Sequence, residues 1–338
     1  MLVVCLTILQ FEAKSQQNFK LETNRFEIPS LVSKHKLRTA NAYLSLEYHS
    51  KSRDYTFKAD SSQIHKQRLK LVVGATALGY TGAMVGLGTL WYSDYAKGNF
   101  HFFNDNDGWM YMDKLGHFTT AYYVGRAGIE ALRWANVPDK KAIWLGGSLG
   151  LFFLTSVEYF DGRSTEWGAS PMDLVANTAG AALVIGQELA WKEQRITMKW
   201  SYTNSKYAKY SPDKLGTALN EKWLKDYNGQ TYWLSANVSS FLNKKSKLPK
   251  WLNVAVGYGA NGMLAAVENP TMTDEGISIP QFERYRQWYI SPDIDLPRIK
   301  TKSKIINLIL KAGGFIKVPL PALEYNRVDN LKFHWLFF

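Results

Sequence analysis

Asp113-Lys114-Leu115-Gly116-His117 opens one apolar run, Glu158-Tyr159-Phe160-Asp161-Gly162-Arg163 closes the next, and Asp173-Leu174-Val175-Ala176-Asn177, followed by Gly180, opens a third. A charge or amide at the end of a segment apolar enough to be buried costs several kcal/mol unless it is paired. These groups are therefore expected to meet each other, a bound ion or a ligand headgroup. Asp113 and His117 stand four apart and share a helix face, where they can share a proton, ligand or metal, while Lys114 is expected off that face. Glu158, Asp161 and Arg163 can form an internal salt-bridge triad. Ser170-Pro171 reads as a helix start, with Asp173 in the first turn, Asn177 one turn on and Gly180 allowing close packing. If the runs go up and down as helices, the loops 93–114 and 158–173 lie on one side. Asp113, His117, Glu158, Asp161, Arg163 and Asp173 then converge at one end of a bundle.

Outward from this stretch, the apolar runs cluster between Leu71 and Trp191. Leu71–Tyr92 holds 22 residues without a charge, enough for a membrane-crossing helix. Its small residues Ala75, Gly79 and Ala83, with Gly82 and Gly86, are spaced to admit a second helix. The following runs are Leu115–Ala135, interrupted by Arg126, Glu130 and Arg133, then Ala142–Val157 and Leu174–Gln187. Charges inside such a run must face a bundle interior. After Trp191 the period changes to two. Tyr232, Leu234, Ala236 and Val238 alternate with Trp233, Ser235, Asn237 and Ser239, and Leu252–Tyr258 and Leu331–Phe337 behave alike. They read as antiparallel strands with one buried face, separated by turn signals at Tyr227-Asn228-Gly229, Asn243-Lys244-Lys245 and Ser291-Pro292-Asp293. The terminal Phe338 resembles the end of an outer-membrane barrel strand, but a small sheet packed on the helices fits the visible strands better than a closed barrel.

The expected fold is α+β: a membrane-associated bundle of about four apolar helices, then an antiparallel β-rich region. The expected divisions are a signal segment 1–15, a polar lead-in 16–70, a helical domain 71–191 and a basic β-rich domain 192–338. The 338 residues are 46% hydrophobic and 14% aromatic, ample for a core. Residues 1–15 have an apolar core and small residues, Ala13 and Ser15, suited to cleavage, but no basic start. Leu2-Val3-Val4-Cys5 lacks the small residues of a lipidation signal. Cys5 is the one cysteine, which rules out an intramolecular disulfide and a cysteine-rich zinc site. The net charge of +12 is unevenly placed: residues 16–70 carry eleven basic and five acidic side chains, residues 192–338 twenty-two and twelve, and the apolar centre is net negative. No zinc-finger, RNP or helix-turn-helix pattern accompanies this charge, so nucleic acid is not expected as a partner. Basic flanks around an apolar centre suit an anionic membrane surface or envelope glycan. For four spans, the charges of the loops place both termini in the cytoplasm, whereas a cleaved signal places residue 16 outside.

The signature Asp-Lys-x-x-His-Phe, Glu-x-x-Asp-x-Arg, Asp-x-x-x-Asn-x-x-Gly resembles the YfiM-type family of predicted periplasmic lipoproteins, a domain of unknown function. Phe100–Trp109 and Lys225–Ser235 resemble its Bacteroidetes branch, and the likeness covers most of residues 70–338. A more distant similarity is to VanZ-like membrane proteins. The resemblance implies a cell-envelope location, on the periplasmic or outer-membrane side or at the inner membrane, and supplies no chemistry. Three functions fit the residues. The first is a non-enzymatic envelope protein in which Asp113, Lys114, His117, Glu158, Asp161, Arg163, Asp173 and Asn177 stabilise the bundle or bind an anionic lipid or glycan group. The second is a hydrolase or transferase on lipid-linked or cell-wall substrates, with Glu158 or Asp161 as acid/base, His117 as partner and Arg163 or Lys114 holding phosphate. The third is a metal site of His117 with Asp113, Glu158, Asp161 or Asp173. No P-loop, nucleophile elbow, dinucleotide-binding glycine motif or HExxH is present.

Overall fold

The computed structural model describes residues 63–90, 92–94, 96–243, 245–272 and 276–338. The signal segment 1–15 and most of the lead-in 16–70 lie outside them. The fold is α+β: long helices are followed by six antiparallel strands in one sheet of order β1 to β6.

Helix α1 spans Lys66–Leu90, α2 spans Met112–Trp134, α3 spans Leu149–Asp161 and α4 spans Pro171–Trp191. A helical turn at Asp139–Lys141 and a wider-wound stretch at Ala142–Gly146 lead into α3. Lys66–Thr89 and Asp139–Asp161 are the two helical segments, among the described residues, long and apolar enough to cross a membrane. The expectation of about four such helices is therefore met by two. Helix α2 is too charged, and its charges find protein partners instead of lipid. Arg126 pairs with Glu130 at 3.3 Å, Glu130 accepts Lys311 at 3.0 Å, and Arg133 reaches Glu188 of α4 at 2.7 Å.

Helices α2, α3 and α4 pack so tightly that glycine is required at the crossings. A Cβ on Gly180 would lie 2.2 Å from the Phe118 carbonyl oxygen, and one on Gly150 would lie 2.2 Å from that of Ala121. Tyr122, Ile129, Ile143 and Val184 fill the space between, and Met198 and Tyr232 join them from the sheet. The glycines of α1 behave differently: a Cβ on Gly74, Gly79, Gly82, Gly86 or Gly88 would meet nothing within 4 Å. The second helix expected against that stripe is absent among the described residues, and Leu71, Val73, Leu78 and Val85 are exposed.

Strands β1 (Ile196–Tyr202), β2 (Gln230–Asn237), β3 (Leu252–Asn261) and β4 (Tyr285–Ile294) form a meander. Helix α5 (Lys304–Ala312) then precedes β5 (Leu320–Asn326) and β6 (Asn330–Phe337). The sheet rolls on itself. Ile316, just before β5, bridges Trp200 of β1 in parallel, and Lys317 N–H donates to the Trp200 carbonyl at 3.0 Å. Across the roll, Lys199 of β1 meets Asp293 of β4 at 2.7 Å, with both side chains fully buried. Ser235 donates to Asp293 at 2.6 Å, Asn253 to Ser235 at 2.8 Å, and the Lys317 ammonium lies over the Trp233 ring.

Burial alternates along β3, β4 and β5, as the pattern implies, while β1 is buried on both faces and β6 is largely exposed. The inner face is mixed, with Ser235, Asn253 and Asp293 beside a Trp233, Ala255, Tyr289 and Ala322 cluster. Leu234, Val256, Ile290, Leu323 and Phe333 are cross-strand neighbours on the outer face and are exposed. Helix α2 packs on this face at β1 and β2, where the Tyr123 hydroxyl donates to the Met198 carbonyl, and Tyr258 and Ala260 of β3 join the same core. Ser291-Pro292-Asp293 is strand and not turn. Pairing of β4 with β5 ends at Ile290, so Pro292, which lacks an N–H, lies beyond that ladder.

Candidate functional site

Three consecutive left-handed residues, Trp109 (φ 48°), Met110 (φ 52°) and Tyr111 (φ 70°), precede α2. Non-glycine residues in this region cost about 1–2 kcal/mol each, so tertiary contacts must hold them. Trp109 N–H donates to the Ala266 carbonyl at 2.7 Å, and the Tyr258 hydroxyl to the Met110 carbonyl at 2.6 Å. This turn leads the chain from Asp105 into the start of α2, beside Lys114.

Lys114 is buried at the centre of the cluster. Its ammonium donates to Asp105, to Asp113 at 2.9 Å and to Asp173 at 3.2 Å, with the Ser170 hydroxyl at 3.5 Å. Burial opposes the charge on Lys114, but Asp113, Asp105 and Asp173 outweigh it and hold the ammonium above its ordinary value. Burial pushes the Asp113 carboxyl up to about 6, ahead of the opposing pull of Lys114. Ser170 ties the elements together. It caps α4 by accepting Asp173 N–H at 3.1 Å, donates to Asp105 at 2.6 Å, and gives its backbone N–H to Glu158 Oε2 at 2.9 Å.

His117 lies one turn above. Its Nδ1 is 3.1 Å from Asn177 Oδ1 and 3.7 Å from Glu158 Oε1, and its Nε2 is 4.0 Å from Asp173 Oδ2. One nitrogen of His117 and one oxygen each of Glu158 and Asp173 lie within 4.8 Å of one another, as do oxygens of Asp105, Asp113 and Asp173. One ammonium, Lys114, serves the three carboxylates of the second group and, through Asp173, which both groups share, also touches the first. Glu158 Oε1 and Asn177 Nδ2, both deeply buried, lack a hydrogen-bond partner among the described residues. Asp113, His117, Glu158 and Asp173 border one open cleft, whose walls include Trp109 and Tyr232.

The structure thus brings Asp113, Lys114, His117, Glu158, Asp173 and Asn177 together at the ends of α2, α3 and α4. Asp161 stands slightly apart, accepting the Tyr92 hydroxyl at 2.7 Å and the Trp167 indole N–H at 2.6 Å. Arg163 is exposed, and among the described residues its side chain pairs with neither Glu158 nor Asp161, so the Glu158–Asp161–Arg163 triad does not form. Lys114, expected off the working face, is instead the hub, because its long stem reaches sideways to the loop and to α4. Asp105 and Ser170 are the functional residues that sequence spacing missed. The Ser-Pro helix start pointed to Ser170 as a cap, whereas nothing local marks Asp105.

Chemically, Asp105, Asp113, Glu158 and Asp173 face one lysine and one histidine. That excess of carboxylate attracts cations and repels anions. No protein-family model matches the chain, and neither a curated protein nor a solved structure matches it.

Proposed function

We propose that this chain is a membrane-associated envelope protein, non-enzymatic in its primary role, whose helical cluster holds a divalent cation between His117, Glu158 and Asp173. The observation that carries the reading is the buried Glu158 Oε1, which lacks a hydrogen-bond partner beside His117 and Asp173, although Asp173 is already paired with Lys114 at 3.1 Å. The mixed imidazole and carboxylate donors suit a borderline or hard ion such as Zn²⁺, Mn²⁺ or Mg²⁺. Asn177 Oδ1 would fix the imidazole through Nδ1–H, leaving Nε2 to the ion. Asn177 Nδ2, which lacks a hydrogen-bond partner among the described residues, is the neighbouring donor. The same charge balance argues against an anionic headgroup at this position, and leaves anionic lipid or glycan to the basic surfaces elsewhere. Membrane association rests on the two apolar helical segments, and the envelope location on the family signature.

A second reading, a metal-assisted hydrolase or transferase on lipid-linked substrates, is favoured by the open cleft that joins the cluster to the apolar face of α1. It would use an ion-bound water next to Glu158. Elemental analysis and calorimetric titration of the purified full-length chain with Zn²⁺, Mn²⁺ and Mg²⁺ test the cation site. One ion per chain in the wild type, lost in His117→Ala and Glu158→Gln while both variants stay folded, is the expected result. Substoichiometric metal and no binding heat would remove the proposal.

A further inference from the structure

The rolled sheet buries polar groups and leaves a row of apolar ones outside. Its interior holds Lys199, Asp293, Lys317, Ser235 and Asn253 beside a small Trp233–Ala255–Tyr289–Ala322 core, while Leu234, Val256, Ile290, Leu323 and Phe333 form a continuous exposed rung across five strands. In the neighbouring outer row Trp288, Tyr325 and Leu331 are exposed, while Tyr258, which continues it, packs against the helical core. An antiparallel sheet surrounded by water turns its apolar face to the core and its polar face outward. Reversal of that order through consecutive strands, with an aromatic row flanking an aliphatic one, is the arrangement strands adopt against lipid. Exposed apolar patches on water-soluble chains seldom exceed a few hundred Å², and this one runs over five strands.

We propose that the outer face of β2–β6 is a lipid-contacting surface that inserts into one leaflet of an anionic bilayer. The proposal rests on the membrane association inferred above and adds a contact that the helices do not make. Strand length decides between insertion and spanning. A β-strand needs about 9–11 residues to cross a bilayer; β3 and β4 have ten each, but β2, β5 and β6 have only eight, seven and eight, so the face as a whole falls short. The free edge of β6 also needs water or headgroups for its backbone, because an open edge is not tolerated in the hydrocarbon centre. Insertion from one side satisfies both conditions. Helix α5 offers a second apolar and basic surface: Ile305, Ile306 and Ile309 are exposed, with Lys302 and Lys304 beside them. An amphipathic helix with isoleucines beside lysines lies in the interface of an anionic membrane.

The test uses the full chain with Cys5→Ser and single cysteines, Val256→Cys, Ile290→Cys or Phe333→Cys, each carrying an environment-sensitive fluorophore. Asp213→Cys is the exposed polar control. Each protein is mixed with phosphatidylglycerol–phosphatidylethanolamine vesicles containing doxyl-labelled acyl chains and floated on a gradient. The expected result is flotation together with blue-shifted emission at the three outer positions, quenched by the doxyl chains several-fold more than at Asp213→Cys. Flotation with water-like emission at those positions overturns the surface but leaves the membrane association standing. Failure to float overturns the membrane association itself. Blue-shifted emission without doxyl quenching also overturns the proposal. Disulfide cross-linking between two Ile290→Cys chains would then assign the face to a second copy, and its absence would assign the face to another segment of the chain.

Discussion

Replacing Lys114 by Met removes the single cation from Asp105, Asp113 and Asp173 while keeping the length of the stem. The ammonium is buried and lies 2.9 Å from Asp113 and 3.1 Å from Asp173. Removing one partner of a buried ion pair costs about 3–5 kcal/mol, because the remaining charge stays uncompensated. Here three carboxylates are left facing each other, so the upper part of that range applies at pH 7.5. For a chain of this size the loss corresponds to a fall of roughly 4–7 °C in Tm. The cost must shrink at pH 5, since the Asp113 carboxyl, already raised to about 6, takes up a proton and removes one of the repelling charges. It must also shrink in the double variant Lys114→Met/Asp113→Asn. Thermal melts in a mild detergent at pH 5 and 7.5 measure both effects. A loss under about 1 kcal/mol at pH 7.5, or one independent of pH, would refute the reading of Lys114 as the hub.

Asp113 alone gives a second prediction. Its folded value of about 6 lies above the ordinary carboxylate value, so the folded state holds the proton more tightly than the unfolded one. The stability this group contributes is complete below about pH 4 and is lost as the pH rises through 6. Asp113→Asn should flatten that slope and be neutral or stabilising by up to about 3 kcal/mol at pH 7.5, read from denaturant titrations at several pH values. Glycines at different places should respond oppositely. Gly180→Ala drives a methyl against the Phe118 carbonyl and should cost at least about 2 kcal/mol. Gly79→Ala meets nothing and should be neutral or stabilise the helix by up to about 1 kcal/mol, the two being compared by thermal melts in the same detergent.

The four helical segments and the onset of the sheet were legible because apolar runs and period-two alternation are local properties. The convergence of Asp113, His117, Glu158 and Asp173 followed from alternation of the helices. Other features depended on distance in the fold. Lys114 became the hub because a flexible stem can leave the face its Cα marks. Asp105 entered from a loop whose path is set by three left-handed residues, and none of Trp109, Met110 and Tyr111 carries a local preference for that backbone. Arg163 fell outside because the turn after α3 carries it to the surface. Pro292 read as a turn, yet it sits in β4 where the ladder to β5 has ended. Alternation announced that each strand had two unlike faces, but only the closing of the roll shows which one is inside.

That closing has a kinetic consequence. The bridge between Trp200 and Ile316 and the pair Lys199–Asp293 join residues far apart in the chain. Contacts of such sequence separation form slowly, since a long loop must be closed before they form. Until Ile316 is in place, β1 to β4 lack their parallel seam, while most contacts among α2, α3 and α4 join residues that precede the sheet. The roll is therefore the last part of the molecule to assemble. In the interval, the ammonium of Lys199 and the carboxylate of Asp293 stay hydrated, which keeps a half-built sheet in water and delays its apolar exterior from becoming a single surface.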